Sequence, residues 1–164
     1  MSAYFIQKGT HGGFHFPKLV SVRKNKLKYH VMFTESCKYD IGEDQSDINK
    51  LFGIGYLPWH RQNSVRFGWR YVQETDKIEI LAYWYNSGQR YSQSMFNVEL
   101  GRWYDYSISN NADSHQLIIY DKDGVPLARH TVELKPESIG YKLFPYFGGN
   151  KTAPHTMRIN MAIN

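Results

Sequence analysis

The chain has almost no cysteine. Cys37 is the only one in 164 residues. That excludes an intrachain disulfide and any zinc site built on cysteine. Its surroundings, "FTESCKY", read as a strand, so Cys37 is expected to be a small buried hydrophobe. Long apolar runs are missing too. Mean hydropathy is −0.57, and no run approaches the ~20 apolar residues of a membrane-spanning helix. A membrane is therefore not an expected partner. The opening "MSAYFIQKGTHGG" has no basic stretch followed by an apolar one, so no signal peptide is expected. Three settings fit that expectation: the cytoplasm, a virion assembled inside a cell, or secretion with the signal removed. Convincing helical periodicity is nearly absent as well.

Aromatic residues and alternation are abundant instead. The 13 Tyr, 9 Phe and 4 Trp make 16% of the chain, a share that suits strands and contact surfaces. In "SVRFGWRY" Val65, Phe67, Trp69 and Tyr71 point one way, and Arg66, Gly68 and Arg70 the other. "KLKYHVMF" alternates likewise, with Leu27, Tyr29, Val31 and Phe33 on one face. "KIEILAYWYN" is apolar enough to be covered on both faces. Between strands lie turn signals such as "QETDK", "NSGQR" and "DKDG", recurring roughly every ten residues, as in a sandwich or barrel. The polar connection "YDIGEDQSDINK" has room for a short helical turn. The economical reading is one all-β domain over residues 1–164, a two-sheet antiparallel β-sandwich, with 1–20 as an arm or edge strand.

Formal net charge is +5 and the pI about 9.2. The one basic cluster, "RKNKLK" at 23–28, reads as a solvated turn leading into a strand. So modest a charge, with no aromatic–basic motif of a nucleic-acid module, argues against nucleic acid as a partner.

The order of "NKLFGIGY", "NSVRFGWRY", "KIEILAYWYNSGQR", "GRWYDYSI" and "YKLFPYFGGNKTAPHTMRI" resembles the concanavalin A-like lectin/glucanase jelly rolls. It is most similar to small members from gut Bacteroidetes and the phages that infect them. The likeness runs over roughly residues 27–163, and "RFGWR" and "YFGGN" are its most specific parts. The resemblance implies a jelly roll whose concave face often takes glycans. It implies no particular activity.

Catalytic lineages of that jelly roll make demands this chain does not meet. Retaining glycosidases need two carboxylates ~5–5.5 Å apart. Glu79 has no acid two residues along its strand, and Pro136 breaks the strand between Glu133 and Glu137. Alginate-lyase-type jelly rolls use an Arg strand, a Gln-x-His strand and a Tyr strand. Arg66, Arg70 and Tyr146 could serve the first and last, but the Gln-x-His strand is missing. Metal sites are equally weak. "HGGFH" spaces His11 and His15 without a helix to bring them together. "DKDG" is explained as a hairpin turn. The acids Asp40, Glu43, Asp44 and Asp47 offer oxygens for a structural calcium at most, so no cofactor is expected.

Sugar recognition needs flat rings and planar hydrogen-bonding groups. Arg66 and Arg70 share a strand face, Tyr83 and Tyr85 share another, and the loop "PWHRQN" groups Trp59 and His60. In "YFGGNKTAPH", Gly148, Gly149 and Pro154 fit a tight corner between sheets. That corner leaves Tyr146, Asn150 and His155 available for a ligand. These nine residues form the expected ligand face, and the expected partner is a glycan. Arg66 or Arg70 could instead pair with Glu79 across the strands. The second reading is a structural or virion-associated module, in which exposed rings anchor a partner chain or a second copy. A polysaccharide lyase or glycoside hydrolase comes third.

Overall fold

A computed structural model describes residues 2–13, 19–21 and 26–163. His15 and positions 23–25 of the basic cluster lie outside them. The described residues form a two-sheet antiparallel β-sandwich of the jelly-roll kind. One sheet holds β1 (Ser2–Ile6), β3 (Leu27–Phe33), β8 (Tyr104–Asn110), β9 (His115–Tyr120), β10 (Pro126–Val132) and β12 (Met157–Ile163). Its order is β1-β12-β3-β8-β9-β10. The other holds β2 (Leu19–Ser21), β4 (Asn49–Tyr56), β5 (Ser64–Val72), β6 (Lys77–Asn86), β7 (Gln89–Val98) and β11 (Ile139–Leu143). Its order is β2-β11-β4-β5-β6-β7. The N-terminal residues thus supply an edge strand to each sheet, and β1 pairs with β12 at the other end of the chain.

Alternation sets the core. Val65, Phe67 and Trp69 of β5 and Ile78, Ile80 and Ala82 of β6 are fully buried between the sheets. Rings from opposite sheets meet there: Phe33 lies 5.2 Å from Trp69, and Phe67 lies 5.3 Å from Tyr106. Each large ring so buried is worth about 3–5 kcal/mol against alanine. Cys37 is fully buried, and burial pushes its thiol up to about 12, so it is inert at neutral pH. The polar connection before β4 carries a single 3-10 turn, Gly42–Ser46. The "NSGQR" hairpin turns on two left-handed residues, Ser87 and Gly88, with φ of 53° and 82°.

The segment between β11 and β12 carries the chain from one sheet to the other. Its backbone is bonded to β4 both ways: Lys50 N–H donates to the Tyr146 carbonyl at 2.8 Å, and Tyr146 N–H to the Lys50 carbonyl at 2.9 Å. Gly148 has φ +75°, and a Cβ there would sit 2.3 Å from the Lys151 carbonyl oxygen. The tight corner therefore requires that glycine.

Candidate functional site: a basic aromatic cleft

The outer face of β4, β5 and β6 is stripped of side chains at three points. Gly53 faces Arg66, Gly55 faces Ser64, and Gly68 faces Leu81 in the strand register. A Cβ on Gly53 would lie 2.2 Å from Arg66 Cβ, and one on Gly55 would lie 2.8 Å from His60 Cβ. The bare floor lets Arg66 and His60 lie close against the sheet. Above it are two adjoining cavities of about 390 and 490 Å³, both lined by His60, Arg66 and Tyr146. The larger adds Lys50, Tyr83, Tyr85 and Arg90 from three strands, and Trp59 and Arg61 from the loop before β5. The corner contributes Gly148, Gly149 and Asn150. The smaller runs toward Tyr4, His11 and Tyr141.

Arg66 is the most buried cation there, with 7% of its surface exposed. Its Nη2 donates to the Phe144 carbonyl at 2.7 Å, while Nε has no hydrogen-bond partner. Burial pulls its pKa down to about 10, opposed by the nearby hydroxyls of Tyr83, Tyr4 and Tyr141. It remains charged at neutral pH. Lys50 Nζ donates to the Gly148 carbonyl at 3.0 Å and lies 5.3 Å from the Tyr83 ring centre and 5.8 Å from that of Tyr146. Burial, then the Arg66 and Arg90 charges, pull this amine down to about 8. Burial, then Arg66 and Arg61, take His60 down to about 4, so its imidazole is neutral. The Tyr141 hydroxyl accepts the His60 backbone N–H at 2.7 Å and stands 3.2 Å from Nδ1.

Two exposed rings frame the opening. Trp59 is 53% exposed, with the Arg61 guanidinium 5.2 Å from its ring centre. Tyr146 is 41% exposed and stacks on His11 at 4.9 Å with near-parallel planes. Among the described residues, no aspartate or glutamate lines either cavity. The acid acting on Lys50 is Asp47, whose Oδ2 accepts the Asn150 N–H at 3.4 Å.

Of the nine expected residues, the fold gathers seven around this cleft: Trp59, His60, Arg66, Tyr83, Tyr85, Tyr146 and Asn150. Two lie outside it. Arg70 Nε pairs with Glu79, and its Nη1 donates to the Ser46 carbonyl at 3.0 Å. His155 is engaged elsewhere, with Nε2 2.9 Å from the Ser36 carbonyl. Glu79 thus takes Arg70 and not Arg66, whose cross-strand neighbour is Tyr83. Sequence reasoning missed Lys50, Arg90, Tyr141 and His11 as cleft residues, whereas Arg61 comes with Trp59 and His60 from the loop already singled out. The one available signal was Gly53-x-Gly55 inside a strand, a mark of close approach by other groups. Among the described residues, no cluster of three or more His, Cys, Asp or Glu could hold a metal ion. Asp40 Oδ1 instead accepts the Gly42 N–H at 3.0 Å.

No protein-family model matches the chain. No curated protein matches it either. Solved structures do. The alginate lyase from Klebsiella pneumoniae superposes with a TM-score of 0.57 at 11% identity, over 85% of this chain and 59% of the lyase. A functionally unknown protein from Saccharomyces cerevisiae gives 0.58 at 5% identity, over 99% and 87%. The CBM2 module of the evolved Dit of Lactobacillus casei BL23 phage J-1 gives 0.51 at 12% identity, over 98% and 76%. At these identities the likeness is one of fold, and the chain spans under two thirds of the lyase.

Proposed function

We propose that this protein is a non-catalytic, lectin-like carbohydrate-binding sandwich. One observation carries the reading: a single open cleft gathers exposed rings, Trp59 and Tyr146, with planar donors, Arg66, His60 and Asn150. Rings of this kind cover the C–H faces of a sugar, and fork-shaped donors take its oxygens. The neutral His60 suits hydroxyl groups, since it can both donate and accept. Similar folds are found in an alginate lyase and a phage carbohydrate-binding module, which supports the reading by analogy alone. So does the resemblance to concanavalin A-like jelly rolls of gut Bacteroidetes and their phages. A glycan array on the purified protein tests it, with Trp59→Ala and Tyr146→Ala as variants. Binding to a defined sugar class that both variants weaken is the expected result. A folded sample that binds no glycan would sink the reading.

Two other readings have an observation each. A phage or other assembly module is favoured by β7, a ten-residue edge strand whose residues 89–94 are all exposed, Tyr91 among them. A partner strand could add there. In that case the protein elutes as an oligomer or binds a virion protein. A lyase acting on an acidic polysaccharide is favoured by Arg66, His60 and Tyr146 lining the same cavities. Unsaturated products released from a polyuronate would establish it.

A further inference from the structure

We propose that the glycan is acidic, and that its carboxylate or sulfate group seats on Arg66 at the cleft floor, beside Lys50. This rests on the carbohydrate reading and names the sugar's chemical class.

The cleft carries an excess of cations. Lys50, Arg61, Arg66 and Arg90 line the larger cavity, and among the described residues no acid lines it; Asp47, which favours the Lys50 charge, bonds the Asn150 N–H at the corner. Two arginines elsewhere are matched by an acid: Arg70 meets Glu79, four residues from Arg66 on the same strand face, and Arg102 meets Glu99. Arg66 is more buried than either, yet carries a single bond to a neutral carbonyl and an unbonded Nε. An isolated charge removed from water is costly, and one bond to a carbonyl does not offset it. A purely structural contact to Phe144 would be served as well by a neutral donor.

The cations also oppose one another. Arg66 and Arg90 both act on Lys50 to disfavour its charge. An anion between them removes that repulsion. A guanidinium offers parallel N–H donors that match the two oxygens of a carboxylate or sulfate. Gly53 keeps the facing strand clear of a side chain where the Arg66 stem leaves the sheet. Trp59 and Tyr146 stand where neighbouring sugar rings of a chain would lie.

The test is calorimetric titration of the protein with polygalacturonate, the same polymer with its carboxyls reduced to alcohols, dextran sulfate, and plain dextran. Expected is binding to an acidic polymer at least about tenfold tighter than to its neutral counterpart, weakening as salt rises. Preference for polygalacturonate names a carboxylate, and preference for dextran sulfate names a sulfate. Arg66→Gln is expected to lower that affinity at least about tenfold. Arg90→Gln, at an exposed position, should lower it severalfold without touching the core. Arg129→Gln, exposed on β10 of the other sheet, should leave it unchanged. Equal affinity for charged and neutral polymers would overturn the proposal and leave carbohydrate binding standing. So would acid binding unaffected by Arg66→Gln, or lowered as much by Arg129→Gln. Binding to none of these polymers and to no glycan on the array would remove the underlying reading itself.

Discussion

Tyr56 of one sheet and His115 of the other are joined by a hydrogen bond through the core, from the Tyr56 hydroxyl to His115 Nε2. Both residues are fully buried. His115 Nδ1 lies 2.8 Å from the Leu134 carbonyl, so Nδ1 carries the proton and Nε2 accepts. Protonating Nε2 would break the link between sheets. Burial holds His115 down at about 4, against 6.5 for a free imidazole. The unfolded chain therefore binds the extra proton first. Stability should be full above pH 6.5 and fall as pH drops toward 4, by about 3 kcal/mol from this group. Urea melts across that window check it. His115→Gln should be less stable at neutral pH and show a shallower loss on acidification. Equal slopes in both proteins would refute the assignment.

The floor of the cleft gives a steric prediction. Gly53→Ala would place a Cβ 2.3 Å from the Val65 carbonyl oxygen as well as against Arg66. Backbone cannot move aside there without breaking the β4–β5 ladder, so the cost should be at least about 3 kcal/mol. Gly101→Ala is the contrast. It has φ +71° and open space around the new methyl. Only the left-handed backbone opposes it, for about 1 kcal/mol. Thermal melts of the two variants separate clash from dihedral strain.

Arg66 should oppose stability while serving the site. Arg66→Met removes a buried cation, and only the bond to the Phe144 carbonyl is lost in exchange. Stability is expected to hold or to rise by up to about 2 kcal/mol, while binding of an acidic glycan is lost. A large fall in stability would mean that Arg66 is chiefly a structural anchor.

Much of the fold is legible from alternation. Val65, Phe67 and Trp69 read as one face and are one face of the core. The Ser87–Gly88 hairpin reads from its turn residues. Cys37 is buried as expected, but it sits on a 3-10 turn, Glu35–Cys37, and not on the strand that "FTESCKY" suggests. The site is harder, and Arg66 and Arg70 explain why. They share a strand, a face and a local pattern, yet one finds Glu79 and the other a cleft. The difference lies in register: Arg70 falls opposite Glu79, and Arg66 opposite Tyr83. Lys50 escaped notice for a related reason. What makes it a site residue is its bridge to Tyr146, nearly a hundred positions away. His155 misled in the opposite sense. It follows the corner closely in sequence, but the chain has by then crossed toward the other sheet and Ser36.

Asn49 holds the corner against β4 and should be its weak point. Its side chain is buried, with Nδ2 donating to the Tyr39 hydroxyl at 2.8 Å and Oδ1 accepting the Gly148 N–H. Asn49→Leu strands a buried N–H and should cost about 2 kcal/mol. Hydrogen exchange at Gly148 should quicken while the β5 and β6 amides stay protected. Ligand affinity should fall with it, because the Tyr146 rim hangs on the same corner.

Lys50 sets the pH limit of the site. Its amine titrates at about 8 in the free protein, lowered by burial and by Arg66, Arg90 and Arg61, with Asp47 opposing. Tyr83 and Tyr146 face it with their rings, and His60 loses its proton at about 4, well below this range. An acidic ligand prefers the charged amine. Affinity should therefore be complete below about pH 8 and decline above it, as the free site loses the proton that the ligand needs. Binding near pH 8 should take up protons, because the bound anion raises the amine's pKa. Calorimetry in two buffers of different ionisation heat measures that uptake directly. Lys50→Met should bind more weakly at neutral pH and show no decline through the window. Flat binding by the unaltered protein from about pH 7 to about pH 9.5 would remove Lys50 from the contact with the acid group.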